Sequence, residues 1–258
     1  MQRYFVPPEQ FGESSVVLAG EDARHAVRVM RMKPGDECIV SDGVSREARV
    51  VIRDADPERV TADIVEPLPG DREPGWSVTV AQSLPKGDKM EIVIQKGTEL
   101  GAAAFVPFQS ERMIVQYDAR KEAKRLERWR KIAKEAAEQA HRSRIPDVGP
   151  VLAWRELIAL FPRYDAVFFC YEKASGSLRH GLRTAVRRWL DGTGKDAPAP
   201  NVLLVVGPEG GFSEREAAEA AAAGAAAVGL GRRILRTETA AMAALACLMY
   251  ESGEMGGV

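Results

Sequence analysis

What this 258-residue chain has little of narrows its class. Its three cysteines, Cys38, Cys170 and Cys247, are far apart and in no CxxC pattern. That argues against a disulfide framework and against a structural zinc site. The three histidines, His25, His141 and His180, form no ligand cluster with them, so no metal is expected. No window of about 18 residues is apolar and uncharged, so no membrane span is expected. The opening MQRYFVPPEQ lacks the apolar core of a secretory signal, which leaves the cytoplasm as the expected location. Net charge is scarce too. The 36 Lys+Arg nearly cancel the 37 Asp+Glu, and the whole-chain basic excess common among nucleic-acid binders is missing.

The charge is unevenly spread, however. Residues 1–70 carry nine basic and 13 acidic side chains, whereas residues 119–145 carry ten basic and four acidic ones. The second stretch reads as a long helix with a basic face, the expected backbone track for RNA, with Arg125, Arg128 and Arg142 as its contacts. The bland reading is a solvated face with i,i+4 pairs such as Glu127–Lys131. Four acids cannot neutralise ten bases, which favours the RNA role. His25, Arg28 and Arg31 recur along the short helix expected over 21–32 and are further candidate phosphate contacts.

Two regions differ in pattern. The first 66 residues are β-rich, with CIVS, SREARVVI and VTADIVE as short strands and Asp42–Gly43 as a turn, which suggests a small barrel. The segment EPLPGDREPG (66–75) is dense in Pro, Gly and charge and marks a boundary between domains at 1–70 and 74–258. Beyond it, strands alternate with helices. WSVTVAQSL, AAFVPFQS, YDAVFFCYE, NVLLVV and AAVGLG read as strands; DKMEIVIQKGTELG, LRHGLRTAVRRWL, EREAAEAAAAG and RTETAAMAALACLMYE read as helices. DGTGKDAPAP (191–200) reads as a flexible turn. The alternation implies an α/β fold with a mostly parallel sheet.

Two late stretches carry the chemical signal. In LLVVGPEGGFSEREAAEA (203–220), an apolar strand runs into a glycine-rich loop, where backbone can approach a ligand closely. The plain alternative is a strand–turn–helix connection with Ser213 as N-cap and Glu216 completing a capping box. The loop fits neither the dinucleotide nor the P-loop pattern. In VGLGRRILRTETAAMAALA (228–246), a second glycine-containing loop precedes an Ala-rich helix. Two such loops at strand ends suit one flat ligand.

Together GPEGGFS and LGRRILRTETA resemble the C-terminal motifs of the SPOUT superfamily of methyltransferases, in particular the family that methylates N3 of a uridine in 16S ribosomal RNA. QRYFV, HAVRVMRMKPGD (25–36), KGDKMEIVIQKGTELG (86–101) and FQSERM (108–113) extend the resemblance along the whole chain. The chain departs from the family at Met113, usually Ser, and at EQAHR (138–142), usually EQSGR.

The resemblance implies a trefoil-knotted α/β domain behind a PUA-like RNA-binding barrel, and a homodimer. It implies S-adenosylmethionine as cofactor, and 16S ribosomal RNA or the assembled small subunit as partner. Cofactor contacts are expected at Leu204, Gly207, Pro208, Glu209, Gly210, Leu230, Gly231, Ile234, Leu235, Arg236, Thr239 and Ala240. Methyl transfer to a ring nitrogen needs in-line placement, a cation for charge developing on the base, and a proton acceptor. Arg236 is the candidate cation; Glu238, Glu99 and Arg112 are further catalytic candidates, and each also reads as a loop-fixing charge. A related transfer-RNA methyltransferase and a non-catalytic RNA-binding assembly factor are the alternatives.

Overall fold

The computed structural model describes residues 1–70, 72–114, 120, 122–173, 181–193 and 199–256. The start of the expected helix 178–190, the middle of the turn 191–200, and residues 119 and 121 of the basic stretch lie outside the described residues. The chain forms two compact units: Met1–Glu73 with Lys134–Ile145, and Pro74–Ala133 with Pro146–Val258.

The first unit is built on strands β1 (Arg3–Phe5), β2 (Ser15–Ala19), β3 (Glu37–Ser41), β4 (Glu47–Ala55) and β5 (Arg59–Leu68), in sheet order β1-β3-β4-β5-β2. Period-two alternation places Ala48, Val50 and Ile52 of β4 in its core with Val16, Leu18, Val40 and Val60. Asp42 makes the expected turn: its carboxylate accepts the N–H groups of Val44, Ser45 and Arg46. Burial alone would raise its pKa, but Arg46 and those amides outweigh burial and lower it to about 2. The expected helix over 21–32 is shorter and less regular. It is α1 (Gly20–Arg24), followed by a wider π-helical turn at His25–Val29.

Lys134–Ile145 joins this unit through buried polar contacts. Arg3 pairs with Glu47 at 2.6 Å, and Ser143 Oγ donates to Glu47 at 2.9 Å. Arg3 also donates to the Arg142 carbonyl. Glu73 holds the Arg142 guanidinium and accepts the N–H groups of Ser143 and Arg144. This corrects the expectation for Arg142: its side chain is 6% exposed and its charge is already neutralised.

The second unit is a six-stranded sheet, every pairing parallel. Its strands are β6 (Ser77–Ser83), β7 (Ala104–Phe108), β8 (Asp147–Val148), β9 (Ala166–Cys170), β10 (Asn201–Val206) and β11 (Ala226–Val228), in order β11-β9-β10-β6-β7-β8. The apolar run VLLVV of β10 and the near-continuous burial of β6 suit strands covered on both faces. The helices of this unit are α2 (Lys89–Glu99), the part of α3 (Glu122–Gln139) up to Ala133, α4 (Trp154–Leu160), α5 (Leu182–Thr193), α6 (Glu214–Ala222) and α7 (Thr237–Glu251). Neither β8 nor α4 is anticipated by the sequence patterns. On one side of the sheet an aromatic cluster fixes the loop after β10: Phe212 packs 4.1 Å from Phe169 and 5.9 Å from Trp154 between ring centroids.

Candidate functional site

A parallel sheet gathers the carboxyl ends of its strands on one edge, and ligands bind there. Here the ends of β9, β10 and β11 and the start of α7 enclose a cleft of about 590 Å³. Two loops wall it, residues 207–213 and 229–236.

The first loop is tied down from several directions. Phe212 is buried in the aromatic cluster. Ser213 caps α6, and buried Glu216 accepts the N–H groups of Ser213 and Glu111, which forms the expected capping box. Ser213 Oγ also donates to Glu111. A side chain at Gly210 would meet the Arg112 carbonyl at 2.8 Å. The bare backbone there serves loop-to-loop packing, in addition to any ligand approach. Gly210→Val is therefore expected to disturb the loop itself and not merely to block a ligand.

Side chains far apart in sequence brace the base of the cleft. Thr237 Oγ1 donates to the Gly207 carbonyl at 2.6 Å and accepts from Gln82 Nε2 at 2.8 Å. That joins the ends of β6 and β10 to the first turn of α7. Lys89 Nζ donates to Glu209 at 2.7 Å and lies 3.6 Å from Glu238. Glu209's hydrogen bond holds Lys89 above the ordinary lysine value. Burial pushes Glu209 up, but the hydrogen bond from Lys89 and two amides carry it below the usual carboxylate range. Both groups therefore stay charged at neutral pH. Cys170 also lines the cleft; burial pushes its thiol up to about 12, which leaves it neutral and unsuited to nucleophilic work.

The second loop is open. Gly231, Arg232, Arg233, Ile234 and Arg236 are exposed, and Ile234 is 82% so. Arg232, Arg233 and Arg236 make no ion pair among the described residues. The cleft thus combines glycine backbone, apolar side chains and an uncompensated cationic lip.

Of the residues anticipated for the cofactor, Gly207, Pro208, Glu209, Gly210, Leu230, Ile234, Leu235, Arg236 and Ala240 line this cleft. Leu204 sits fully buried in mid-strand, Gly231 and Thr239 are exposed nearby, and none of the three is part of the lining. The sequence reasoning missed Lys89, Tyr171, Glu172, Phe212, Arg233 and Thr237. Of the catalytic candidates, Arg236 lines the cleft and Glu238 is bound to it through Lys89. Arg112 touches the first loop through its backbone. Glu99 is a correction. It ends α2, ten residues and roughly 15 Å along the helix axis from Lys89, and pairs with Lys96 at 2.8 Å.

The RNA candidates divide as well. Arg128 pairs with Glu91 at 2.7 Å, and Lys134 pairs with Asp22 at 2.6 Å. Acids outside the segment thus neutralise part of the charge that its own four acids leave over. Arg125 makes no ion pair among the described residues. His25 is half-buried, with Nδ1 3.1 Å from the Tyr4 hydroxyl, whereas Arg28 and Arg31 are exposed.

The fold and the cleft define an α/β domain with a cleft of small-molecule size, in a chain that also holds a β-rich unit. An RNA methyltransferase domain family matches residues 72–249, and an RNA methyltransferase PUA domain family matches residues 18–65. The chain is 38% identical over 260 residues to the ribosomal RNA small subunit methyltransferase E of Bacillus subtilis, covering 100% of this chain and 99% of that one. Among solved structures, it is similar to a Neisseria gonorrhoeae ribosomal RNA small subunit methyltransferase E bound to S-adenosyl methionine. That match has 32% identity and a TM-score of 0.81 over 97% of this chain and 98% of that one. A Legionella pneumophila putative methyltransferase in complex with the same cofactor matches at 30% identity and a TM-score of 0.82, over 96% and 97% of the two chains. The chain belongs to the ribosomal RNA small subunit methyltransferase E family of RNA methyltransferases.

Proposed function

We propose that this protein transfers a methyl group from S-adenosylmethionine to N3 of a uridine in 16S ribosomal RNA. The observation that carries the reading is the cleft at the carboxyl edge of the sheet, walled by GPEGGFS and LGRRILRTET, in a chain similar over its full length to ribosomal RNA methyltransferases. The cleft fits the cofactor. Its volume is in the small-molecule range. Leu230, Ile234, Leu235 and Ala240 offer apolar walls for an adenine, and Gly207, Gly210 and Gly211 line the cleft with backbone that carries no side chain. When bound, S-adenosylmethionine supplies an electrophilic methyl group on sulfonium.

The protein's own groups do the rest. The braced first loop presents a fixed backbone surface, so little reorganisation accompanies binding. Arg236, uncompensated at the lip, stabilises negative charge developing on the uridine oxygens. The N3 proton passes to water or to a nearby carboxylate. Glu238, whose buried Oε2 makes no hydrogen bond and lies 3.6 Å from Lys89 Nζ, is the candidate on this chain. Lys89 holds Glu209 and Glu238 in place and is a positioning residue.

In the same reading, residues 1–70 form a PUA-like RNA-binding barrel and 74–258 the methyltransferase domain, with its C-terminal segment threaded as a trefoil knot. Two chains pair as a homodimer, a reading supported by the apolar α7 with Cys247 and Tyr250 exposed. The protein acts in the cytoplasm, on 16S ribosomal RNA or the assembled small subunit. Mass-spectrometric nucleoside analysis of ribosomal RNA from cells with and without the protein tests the reading. Loss of 3-methyluridine from the small-subunit RNA is expected, and an unchanged nucleoside profile contradicts it.

A further inference from the structure

The first unit holds a feature that helix physics does not explain. After α1 the chain widens into the π-helical turn His25–Val29, with Met30 N–H donating to the His25 carbonyl at 3.0 Å. The helix then closes with Met32 N–H on the Ala26 carbonyl, also at 3.0 Å, and Arg31 at φ 55°. That left-handed position after a helix end is where glycine is favoured, because a Cβ crowds the backbone. An arginine there is a backbone penalty the fold accepts. Single π-turns and left-handed non-glycine residues both concentrate at functional sites.

The side chains this turn presents point to a ligand. Buried Met32 anchors the far side of the turn in the core, beside the Tyr4 hydroxyl. The four residues before it stand out. Val29 is 65% exposed and Met30 44%, and both are flanked by exposed Arg28 and Arg31. Neither arginine makes an ion pair among the described residues; the neighbouring Arg24 is the one facing an acid, Glu58 at 3.7 Å. Two bare apolar side chains between two uncompensated cations would be a liability in a free surface turn. They are complementary to a nucleotide: an unstacked base on the apolar pair, its phosphates on the arginines. A protein partner would need acids placed on both sides of an apolar knob. A fully paired duplex would leave Val29 and Met30 against water or phosphate.

We propose that Arg28–Arg31 is a binding site for an unpaired base of RNA, with Arg31 held in its costly conformation because its side chain grips the flanking phosphate. This rests on the RNA-modifying reading above and names the part of the first unit that reads the substrate. It goes beyond simple phosphate contacts by predicting a preference for looped over paired RNA.

The test uses the full chain and two probes: a small-subunit ribosomal RNA hairpin with an unpaired loop, and the same RNA with the loop closed by pairing. Arg31→Gly relieves the backbone penalty, so its Tm should hold or rise by roughly 2–4 °C, while loop-RNA affinity falls about 10-fold. The Val29→Ser, Met30→Ser double variant should lose about 10-fold on the loop probe and little on the paired one. S-adenosylmethionine affinity should be unchanged in both. If Arg31→Gly binds the loop probe like wild type, the turn is only a helix end and the proposal falls. If the double variant weakens both probes equally, the assignment of an unpaired base falls. If wild type binds neither RNA, the RNA-modifying reading falls with it.

Discussion

The two loops that wall the cleft are built on opposite plans. Residues 207–213 are braced by Phe212 in the aromatic cluster, the Ser213–Glu216 capping box, Lys89 on Glu209 and Thr237 on Gly207. Residues 229–236 carry the exposed Ile234 and three arginines without ion pairs among the described residues. A preformed wall lowers the ordering cost of binding a ligand. An unbraced, cationic one keeps its binding energy for a partner that arrives later. The first unit repeats the division. Arg3, Glu47 and Ser143 form a buried frame, with half-buried Glu73 bonded to the Ser143 N–H, and the turn at Arg28–Arg31 is presented bare. Across both units, residues paired within the chain hold the structure, and the exposed side chains without ion pairs are the ones assigned to binding.

That contrast makes graded predictions. The largest effect should follow Phe212→Ala, which empties the centre of the aromatic cluster. A loss of about 3–5 kcal/mol is expected in denaturant unfolding. Loss of cofactor binding should accompany it in calorimetry, because the first loop loses its anchor.

Glu138 tests the frame of the first unit. Burial raises it from 4.5 to about 7, with Lys134 pulling the other way, and it accepts the Phe5 N–H. The native state therefore holds this proton more tightly than the unfolded chain. The contribution is present below about pH 4.5 and is lost as pH rises through 7, by on the order of 3 kcal/mol at most. Unfolding titrations at pH 5 and pH 8 should show a smaller difference for Glu138→Gln than for wild type. An equal difference would mean that Glu138 is ionised in the native state throughout.

Thr237→Val removes the link from Gln82 to Gly207. It should cost about 1–2 kcal/mol in stability and weaken the cofactor several-fold. At the small end, Ile234→Ser should change stability by less than about 0.5 kcal/mol, since the side chain is already in water. It should nonetheless weaken cofactor binding measurably. A large stability loss at Ile234, or none at Phe212, would erase the distinction between the loops.

How much of this was legible in the sequence depends on range. The Ser213–Glu216 box, the turn at Asp42 and the strand–loop–helix runs around GPEGG and LRTET rest on residues within a few positions of one another, and spacing reveals them. Thr237 with Gln82 and Lys89 with Glu209 join residues 155 and 120 positions apart, which no periodicity reports. Arg142 came from the basic stretch and Glu99 from a family motif, yet Glu73 neutralises one and the length of α2 carries the other away from Lys89. The basic count over 119–145 likewise omitted acids supplied by Glu91 and Asp22. The backbone angle at Arg31 has no sequence signature, because the position favours glycine and the residue there is not one.

The most direct test of the account is single-turnover methylation by Arg236→Ala with saturating S-adenosylmethionine, alongside calorimetric cofactor affinity. Arg236 precedes α7 and its side chain makes no capping hydrogen bond, so the fold should be unaffected. The account predicts a rate at least about 100-fold below wild type, with cofactor affinity within a few-fold. A wild-type rate would show that the open loop's arginine stabilises nothing in the reaction, and the assignment of chemistry to that loop would be wrong.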